Sequence, residues 1–212
     1  MSEVVIHGSP LSTFVRTVRM TCHEKGVAYR VQEVDWRSAD YRRLHPFNRM
    51  PAMTHGEVIL FEATAICRYV DEAFPGKPLQ PGDVVARARM TQWISAINDY
   101  IVGSMIRKLV FQRFIAPMLG QKTDEAVIKA ALPEIERHLD IIDRTLAEDG
   151  WLAGNTMTLA DLFLAPILYY VAATPEGGPL LKARANIQAT GAKVMALASY
   201  QATMPPLPKA AE

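Results

Sequence analysis

From Val4 to Arg16 the sequence reads VVIHGSPLSTFVR. The β-branched run at its start predicts a buried strand, which the turn residues Gly8-Ser9-Pro10 bring to an end. A helical pattern then runs from Thr13 to a suitable stop at Gly26. Ser12 thus offers a hydroxyl where a strand passes into a helix. Because a helix N-terminus has unpaired N–H groups and a partial positive charge, it stabilises anions, and Ser12 is a candidate to hold a thiolate.

Two readings compete with that role for Ser12. An isolated serine at the start of a helix is more often a plain helix cap than a functional group. Ser9 and Thr13 are neighbouring hydroxyls, although the spacing to Gly26 favours Ser12. The local sequence alone leaves these alternatives open.

The composition limits the kind of partner. The 212 residues include 23 basic and 22 acidic side chains, and no Lys/Arg-rich block is present to attract nucleic acid or an acidic membrane. We therefore expect a neutral small molecule or another protein as partner, with no nucleic acid and no membrane. The sequence has neither a signal-peptide pattern nor an apolar run of about 18 residues, so we expect a cytoplasmic protein. Cys22 and Cys67 each lie in a helical pattern and are expected to be buried thiols.

The first third of the chain predicts an α/β domain. A second strand is expected around Tyr29 to Val34, and a short irregular helix after Trp36. A hairpin is expected over residues 52–61 and a helix over Glu62–Phe74, which gives the order β-α-β-α-β-β-α. The stretch from Pro75 to Gly82 then has three prolines and two glycines, which stop helices and strands. The predicted domains are 1–76, a linker at 77–85 and an all-helical domain at 86–212.

The remainder of the chain has helical stripes and no convincing strand. One stripe includes Leu132 to Leu146, where Pro133 predicts that the helix either starts nearby or kinks. The residues Thr158-Leu159-Ala160-Asp161 match a capping box at a helix start, for which we expect a structural role. A last helix is predicted from Ile187 to Ser199.

Four motifs in this order resemble the cytosolic glutathione S-transferase family, and in particular its serine-type, phi/theta-like bacterial members. Residues 12–26 resemble the first helix of that type, and residues 45–52, HPFNRMPA, resemble its NPFGxxPA segment. Residues 61–69 resemble the start of its glutathione-holding helix, and residues 158–161 resemble its capping motif. The resemblance implies an α/β thioredoxin-like N-terminal domain, an all-α helical-bundle C-terminal domain, and a homodimer.

The resemblance also implies an activity and a glutathione site. The family's reaction is attack of the glutathione sulfur on an electrophilic carbon, in some members with reduction of organic hydroperoxides. Ser12 would be the catalytic residue, donating a hydrogen bond to the thiolate without losing its own proton. Glutathione enters as a co-substrate, and no cofactor is implied. The implied glutathione-binding residues are Arg49, Met50, Pro51, Glu62 and Ala63, with Arg37 as a more remote candidate for the glycyl carboxylate.

Each of these residues has an implied task. The Met50–Pro51 bond would be cis and would present the Met50 backbone to the cysteinyl part of glutathione. The N–H groups at Glu62 and Ala63 would hold the γ-glutamyl carboxylate. The family usually has Ser or Thr where this chain has Ala63, so one hydrogen bond is missing, at a cost of about 1.5–3 kcal/mol unless water replaces it.

The second substrate is expected between the two domains. Its candidate contacts are apolar or large side chains near Ser12 and in the first helices after the linker: Leu11, Phe14, Tyr100, Met105, Arg107, Phe111 and Phe114. Residues of these types at helical spacing also build cores, and that interpretation stays open. The histidines show no metal-ligand spacing, and no metal is expected.

Two other functions remain open. A glutathione-dependent thiol reductase is the alternative within enzymes, although that branch has Cys where this chain has Ser12. The other alternative is a transferase-like binding or regulatory protein without turnover, which Ala63 favours.

Overall fold

The computed structural model describes residues 2–207. Their contacts divide into two compact units: one contains the residues up to Pro81 together with Met195–Pro205, and the other begins at Gly82 and extends to Val194. The segment Met195–Pro205 belongs to the first unit, although the sequence predicts it within the helical domain. Residues 208–212 of that predicted domain, and residue 1, lie outside the described residues.

The first unit is built on a mixed four-stranded sheet of order β2-β1-β3-β4. The strands are β1 (Val4–His7), β2 (Tyr29–Gln32), β3 (Ala52–His55) and β4 (Val58–Phe61). Strand β1 pairs parallel with β2 and antiparallel with β3, and β3 pairs antiparallel with β4. This pairing confirms both the predicted β-α-β unit and the predicted hairpin. Both could be predicted because their apolar runs and turn residues are clear in the sequence.

Three helices complete the thioredoxin-like part of this unit: α1 (Thr13–Glu24), α2 (Ala39–Arg42) and α3 (Ala63–Ala73). Helix α1 ends before Gly26, whose φ of 64° is in the left-handed region that favours glycine. Val15, Val18 and Met20 have no exposed surface, nor have Cys22 and Cys67. The expectation that the two cysteines are buried thiols is therefore confirmed.

A buried ion pair joins α1 and α3 to the proline-rich stretch. Lys25 Nζ lies 3.1 Å from Asp71 Oδ1, and the two side chains are only 2% and 4% exposed. Lys25 also donates to the carbonyls of Gly76 and Lys77, while Asp71 accepts from the backbone N–H of Leu79. Because both charges are hydrogen-bonded as well as paired, the cost of their burial is offset.

A segment near the end of the described chain packs on the first helix. Arg16 is fully buried in α1, and its guanidinium lies 4.3 Å above the Tyr200 ring. It donates to the Tyr200 carbonyl at 3.1 Å and to Thr203 Oγ1 at 3.4 Å. Arg19 donates to the Thr203 carbonyl at 3.3 Å. The helix that contains these partners, α10 (Ala198–Thr203), is therefore part of the core of the first unit.

The second unit is helical, and its described residues form no strand. Its first helix, α4 (Val84–Ala96), continues into a π-helical segment, Ile97–Ile115, and then into α5 (Ala116–Met118). The remaining helices are α6 (Glu125–Asp149), α7 (Leu159–Ala172), α8 (Gly177–Lys182) and α9 (Ala185–Met195).

Two sequence-based expectations need correction in this part of the chain. Helix α6 begins at Glu125, where Asp124 caps it, so the alternative that the helix starts near Pro133 is wrong. The single helix expected from Ile187 to Ser199 is also wrong, because Leu197 has an extended backbone with ψ of 136° and separates α9 from α10.

The capping box at α7 is confirmed. Asp161 accepts from the Thr158 backbone N–H at 2.8 Å and from its hydroxyl at 3.1 Å. The same carboxylate accepts from the backbone N–H of Leu152 at 2.9 Å. The motif therefore caps the helix and also ties the preceding loop to it.

Candidate active site

Ser12 is the N-cap residue of α1, with an extended backbone at φ −70° and ψ 130°. It is half-buried, and its Oγ accepts a hydrogen bond from the Val15 backbone N–H at 3.4 Å. A hydroxyl has one donor and two acceptor positions, so this bond leaves the Ser12 O–H proton available to donate. The first-turn N–H groups of α1 also add a partial positive charge at this place.

The two neighbouring hydroxyls differ from Ser12 in their surroundings. Thr13 is buried, with 8% of its surface exposed. Ser9 is half-buried, and its Oγ accepts from the Leu11 backbone N–H at 3.3 Å. Since Ser9 lies in the turn before the helix, it lacks the helix N-terminus that Ser12 caps.

The Met50–Pro51 bond is cis, as the resemblance implies. Met50 lies against the turn that precedes α1, because its sulfur accepts from the Ser9 backbone N–H at 3.2 Å. Gly8 makes this close approach possible: a Cβ built there would lie 2.6 Å from Val15 Cγ2 and 3.3 Å from Met50 Cβ. The structure thus brings Met50 to the turn that leads into Ser12.

Glu62 and Ala63 form the start of α3. Glu62 is the N-cap and has a φ of 67°, an uncommon conformation for a residue other than glycine. Its side chain makes no capping bond, and 61% of that side chain is exposed. Ala63 is buried, with 5% exposed. The first N–H groups of α3 therefore carry no carboxylate or hydroxyl cap from Glu62 or Ala63, which leaves them suited to an anionic ligand.

His45 is a residue that sequence reasoning did not single out. It is 1% exposed, and its Nε2 lies 3.9 Å from Glu62 Oε1. Its ring packs 5.1 Å from the Phe61 ring, centroid to centroid. Burial lowers the His45 pKa, Glu62 opposes that shift and Arg49 adds to it. The sequence does contain a signal for His45: it stands where the NPFGxxPA segment of the family has its first Asn.

The two arginines proposed for the glycyl carboxylate differ in position. Arg49 is exposed and directly precedes Met50. The guanidinium of Arg37 stacks 4.6 Å above the Trp36 ring. Arg49 is thus adjacent in sequence to the candidate residues Met50 and Pro51, whereas Arg37 has an aromatic partner in its own loop.

The candidate contacts for the second substrate lie in both units. Leu11 and Phe14 flank Ser12 in the first unit and are half-buried. The others lie in the π-helical segment of the second unit. There Tyr100 and Arg107 are exposed, Phe111 is half-buried, and Met105 and Phe114 are buried.

Within residues 2–207, no cluster of three or more His, Cys, Asp or Glu side chains is arranged to hold a metal ion. Across the same residues, the helices are too short or too polar to cross a membrane.

The fold and the site together define a class: a thioredoxin-like domain, with a serine at the first helix and a cis-proline turn beside it, followed by an all-helical domain. Family comparison gives the same division. Residues 6–78 match the N-terminal domain of glutathione S-transferases, and residues 98–197 match the C-terminal domain. The chain belongs to the glutathione S-transferase family, and its enzyme class is glutathione transferase.

Curated relatives and solved structures agree with this assignment. Glutathione S-transferase F6 of Arabidopsis thaliana is 30% identical over 183 residues, covering 82% of this chain and 86% of its own. Glutathione S-transferase 3 of Zea mays is 29% identical over 215 residues, covering 98% and 96%. Glutathione transferase F2 from Populus trichocarpa has a TM-score of 0.87 at 32% identity, covering 94% and 96%. A maize glutathione S-transferase I, solved with an atrazine glutathione conjugate, has a TM-score of 0.87 at 25% identity, covering 95% and 96%.

Proposed function

We propose that this chain is a serine-type transferase that activates the glutathione thiol as thiolate and conjugates it to small hydrophobic electrophiles. The observation that carries the proposal is the position of Ser12. It caps α1 with a hydroxyl proton available, and Met50 lies against the same turn through the Ser9 N–H at 3.2 Å. The finer assignment to a bacterial phi- or theta-like branch stays a prediction from the sequence.

The interactions at Ser12 are strong enough for this task. Lowering a thiol pKa by about two units requires about 2.7 kcal/mol of preference for the anion. A hydrogen bond from a hydroxyl to a charged group contributes about 1.5–3 kcal/mol, and a helix N-terminus contributes about 0.3–1 kcal/mol, or up to ~2 when partly buried. The two together reach the required value, so Ser12 need not be deprotonated.

The other candidate residues would bind glutathione by parts. The Met50 backbone would pair with the cysteinyl part, the α3 N-terminus at Glu62 and Ala63 would hold the γ-glutamyl carboxylate, and the Glu62 carboxylate would face the ammonium. Arg49 would pair with the glycyl carboxylate. These assignments agree with the cis Met50–Pro51 bond and with the uncapped start of α3.

The reaction then follows from thiolate chemistry. The thiol proton passes to solvent, the sulfur attacks an electrophilic carbon, and a leaving group such as chloride departs. Candidate contacts for the electrophile are Leu11, Phe14, Tyr100, Arg107 and Phe111. An aromatic electrophile is supported by the maize relative that was solved with an atrazine glutathione conjugate. The same thiolate would reduce an organic hydroperoxide to the alcohol and water, with two glutathione molecules oxidised to the disulfide.

The direct test is turnover of a chloroaromatic electrophile with glutathione, followed by the absorbance of the conjugate and by chloride release. We expect conjugation above the uncatalysed rate, with saturation in glutathione. A parallel assay with an organic hydroperoxide tests the second activity. A chain that binds immobilised glutathione without any turnover would instead support a binding or regulatory protein, the alternative that the missing hydroxyl at Ala63 favours.

We also propose that the protein works as a cytoplasmic homodimer in detoxification. Two buried free thiols suit a reducing compartment. The homodimer is what the resemblance to the cytosolic glutathione S-transferase family implies. Sedimentation equilibrium of the purified chain tests the dimer.

A further inference from the structure

Tyr41 has a buried hydroxyl that the proposed chemistry does not use. It lies in the short helix α2 and is 3% exposed. Its O–H donates to the Arg49 carbonyl at 2.8 Å, and the same oxygen lies 3.4 Å from the carbonyl of His7. One side chain thus contacts the backbone of two separate segments of the chain.

These two positions adjoin the residues of the proposed glutathione site in the sequence. Arg49 directly precedes Met50–Pro51, whose backbone would bind the cysteinyl part of glutathione. His7 is the last residue of β1, directly before the turn that leads to Ser12. The hydroxyl therefore connects the segment that would bind the thiol substrate to the segment that would activate its sulfur.

The side chain of Met50 also contacts the turn that leads to Ser12. Its sulfur accepts from the Ser9 N–H at 3.2 Å, and its side chain packs on Gly8. Met50 is thus fixed to the turn by its side chain, while Tyr41 fixes the backbone around it. Burial raises the pKa of Tyr41 to about 12, so the phenol keeps the proton that it donates to Arg49 at neutral pH.

We infer that Tyr41 is a positioning residue: its hydroxyl sets the Met50 backbone relative to Ser12, so that a bound thiol lies within reach of the serine. This inference rests on the proposed glutathione function. It adds a residue that touches neither substrate and acts through the backbone of Arg49 and His7. A sub-ångström change in this spacing would weaken glutathione binding and move the sulfur away from its hydrogen-bond donor.

The test is Tyr41→Phe, which removes the hydroxyl and keeps the ring. Three quantities are measured: the KM for glutathione against kcat, the binding of S-methylglutathione by calorimetry, and the pKa of the bound glutathione thiol from its thiolate absorbance. We expect a glutathione KM and an S-methylglutathione Kd about 5- to 50-fold higher, together with a higher thiol pKa. Replacing Tyr41 by 4-aminophenylalanine, which returns an N–H donor, should restore most of the loss.

The matched control is Tyr29→Phe. The Tyr29 hydroxyl lies in the same unit and accepts from Arg19 Nε at 3.3 Å, a hydrogen bond that involves neither Arg49 nor His7. We expect this control to keep the wild-type KM and thiol pKa. Amide hydrogen exchange at Met50 and Ala52 should be faster in Tyr41→Phe than in Tyr29→Phe, and this readout needs no substrate.

Two outcomes would overturn the inference. One is a Tyr41→Phe protein with lower thermal stability but with wild-type KM, S-methylglutathione affinity and thiol pKa. The other is failure of Tyr41→Phe to fold at any temperature tested, since the hydroxyl would then be required for the domain rather than for the site. A wild-type protein that neither binds S-methylglutathione nor turns over would count against the proposed function itself, and the exchange rates at Met50 would still decide whether Tyr41 orders this turn.

Discussion

Ser12 Oγ accepts from the Val15 backbone N–H at 3.4 Å, close to the upper limit for a hydrogen bond. The bond is a weak helix cap, and it uses the oxygen of the hydroxyl rather than its proton. The Ser12 side chain can therefore cap the helix with its oxygen and donate a hydrogen bond to a thiolate with its proton. Substitution can separate these two roles.

We expect Ser12→Ala to fold, to bind glutathione, and to lose most of its conjugation rate. Loss of a hydrogen bond to a charged sulfur corresponds to about 1.5–3 kcal/mol, or roughly 10- to 150-fold in rate. The thiolate absorbance of bound glutathione should fall at the same time. Stopped-flow assays and a pH titration of that absorbance provide the measurements.

Ser9→Ala is the control for Ser12→Ala, because the Ser9 hydroxyl lies in the same turn and caps only Leu11. An unchanged rate in Ser12→Ala, with a large loss in Ser9→Ala, would reassign thiol activation to Ser9.

We expect Ala63→Ser to tighten glutathione binding. The added hydroxyl would return a hydrogen bond to the γ-glutamyl carboxylate at the start of α3, which corresponds to up to about 1.5–3 kcal/mol, less any contribution from water. Calorimetry of glutathione binding measures the change. Ala65→Ser provides a matched control on an exposed position of the same helix. Equal affinities in all three proteins would show that water or the backbone already serves that carboxylate.

Stability should fall as the pH drops below about 6.5, and His45 should contribute to the fall. Burial lowers the pKa of His45 in the folded state, so the unfolded chain binds its proton first as the pH decreases. The free energy of unfolding then decreases with falling pH, until the folded His45 also becomes protonated. Each such histidine contributes a slope of at most about 1.4 kcal/mol per pH unit.

The substitution His45→Asn should reduce this slope, as measured by urea unfolding at several pH values. Part of the pH slope should remain in this variant, because burial also lowers the pKa of His7 and of His138. His23→Asn, which replaces an exposed histidine, is the matched control. A His45→Asn protein with the wild-type slope would contradict the assignment.

We expect Lys25→Met to destabilise the protein by about 3–5 kcal/mol, because it leaves the Asp71 carboxylate buried without its cation. Arg30→Met breaks the exposed pair with Glu3, whose side chains are 49% and 59% exposed, and should cost less than about 1 kcal/mol. Thermal unfolding of both variants gives the comparison. Similar melting temperatures for the two would show that the buried pair contributes no more than a surface pair.

The parts of the fold that were predictable are those with strong local signals. The strand Val4–His7 begins with three β-branched residues and is followed by Gly8, and Thr158–Asp161 is a complete capping motif, so each specifies its own local structure. The place of Ser12 at the start of a helix follows from the same kind of pattern. The cis geometry at Met50–Pro51 followed from the resemblance, since sequence spacing does not determine it.

The parts that were missed depend on contacts between distant residues. Nothing near Tyr41 in the sequence indicates that its hydroxyl meets Arg49 and His7. Leu197 is an ordinary helix former, yet its backbone is extended, and the helix that follows it, α10, packs against α1. Burial of His45 is likewise set by rings from separate elements, among them Phe61.

The bond between Arg16 and Tyr200 spans 184 positions of the sequence, and it affects how the protein is made. A ribosome releases the first helix long before it synthesises the residues that cover the Arg16 guanidinium. During that interval the nascent first unit has every strand of its sheet but an arginine without its final environment. Completion of this unit must therefore wait until the residues around Tyr200 have emerged, long after its sheet and first helix have been synthesised.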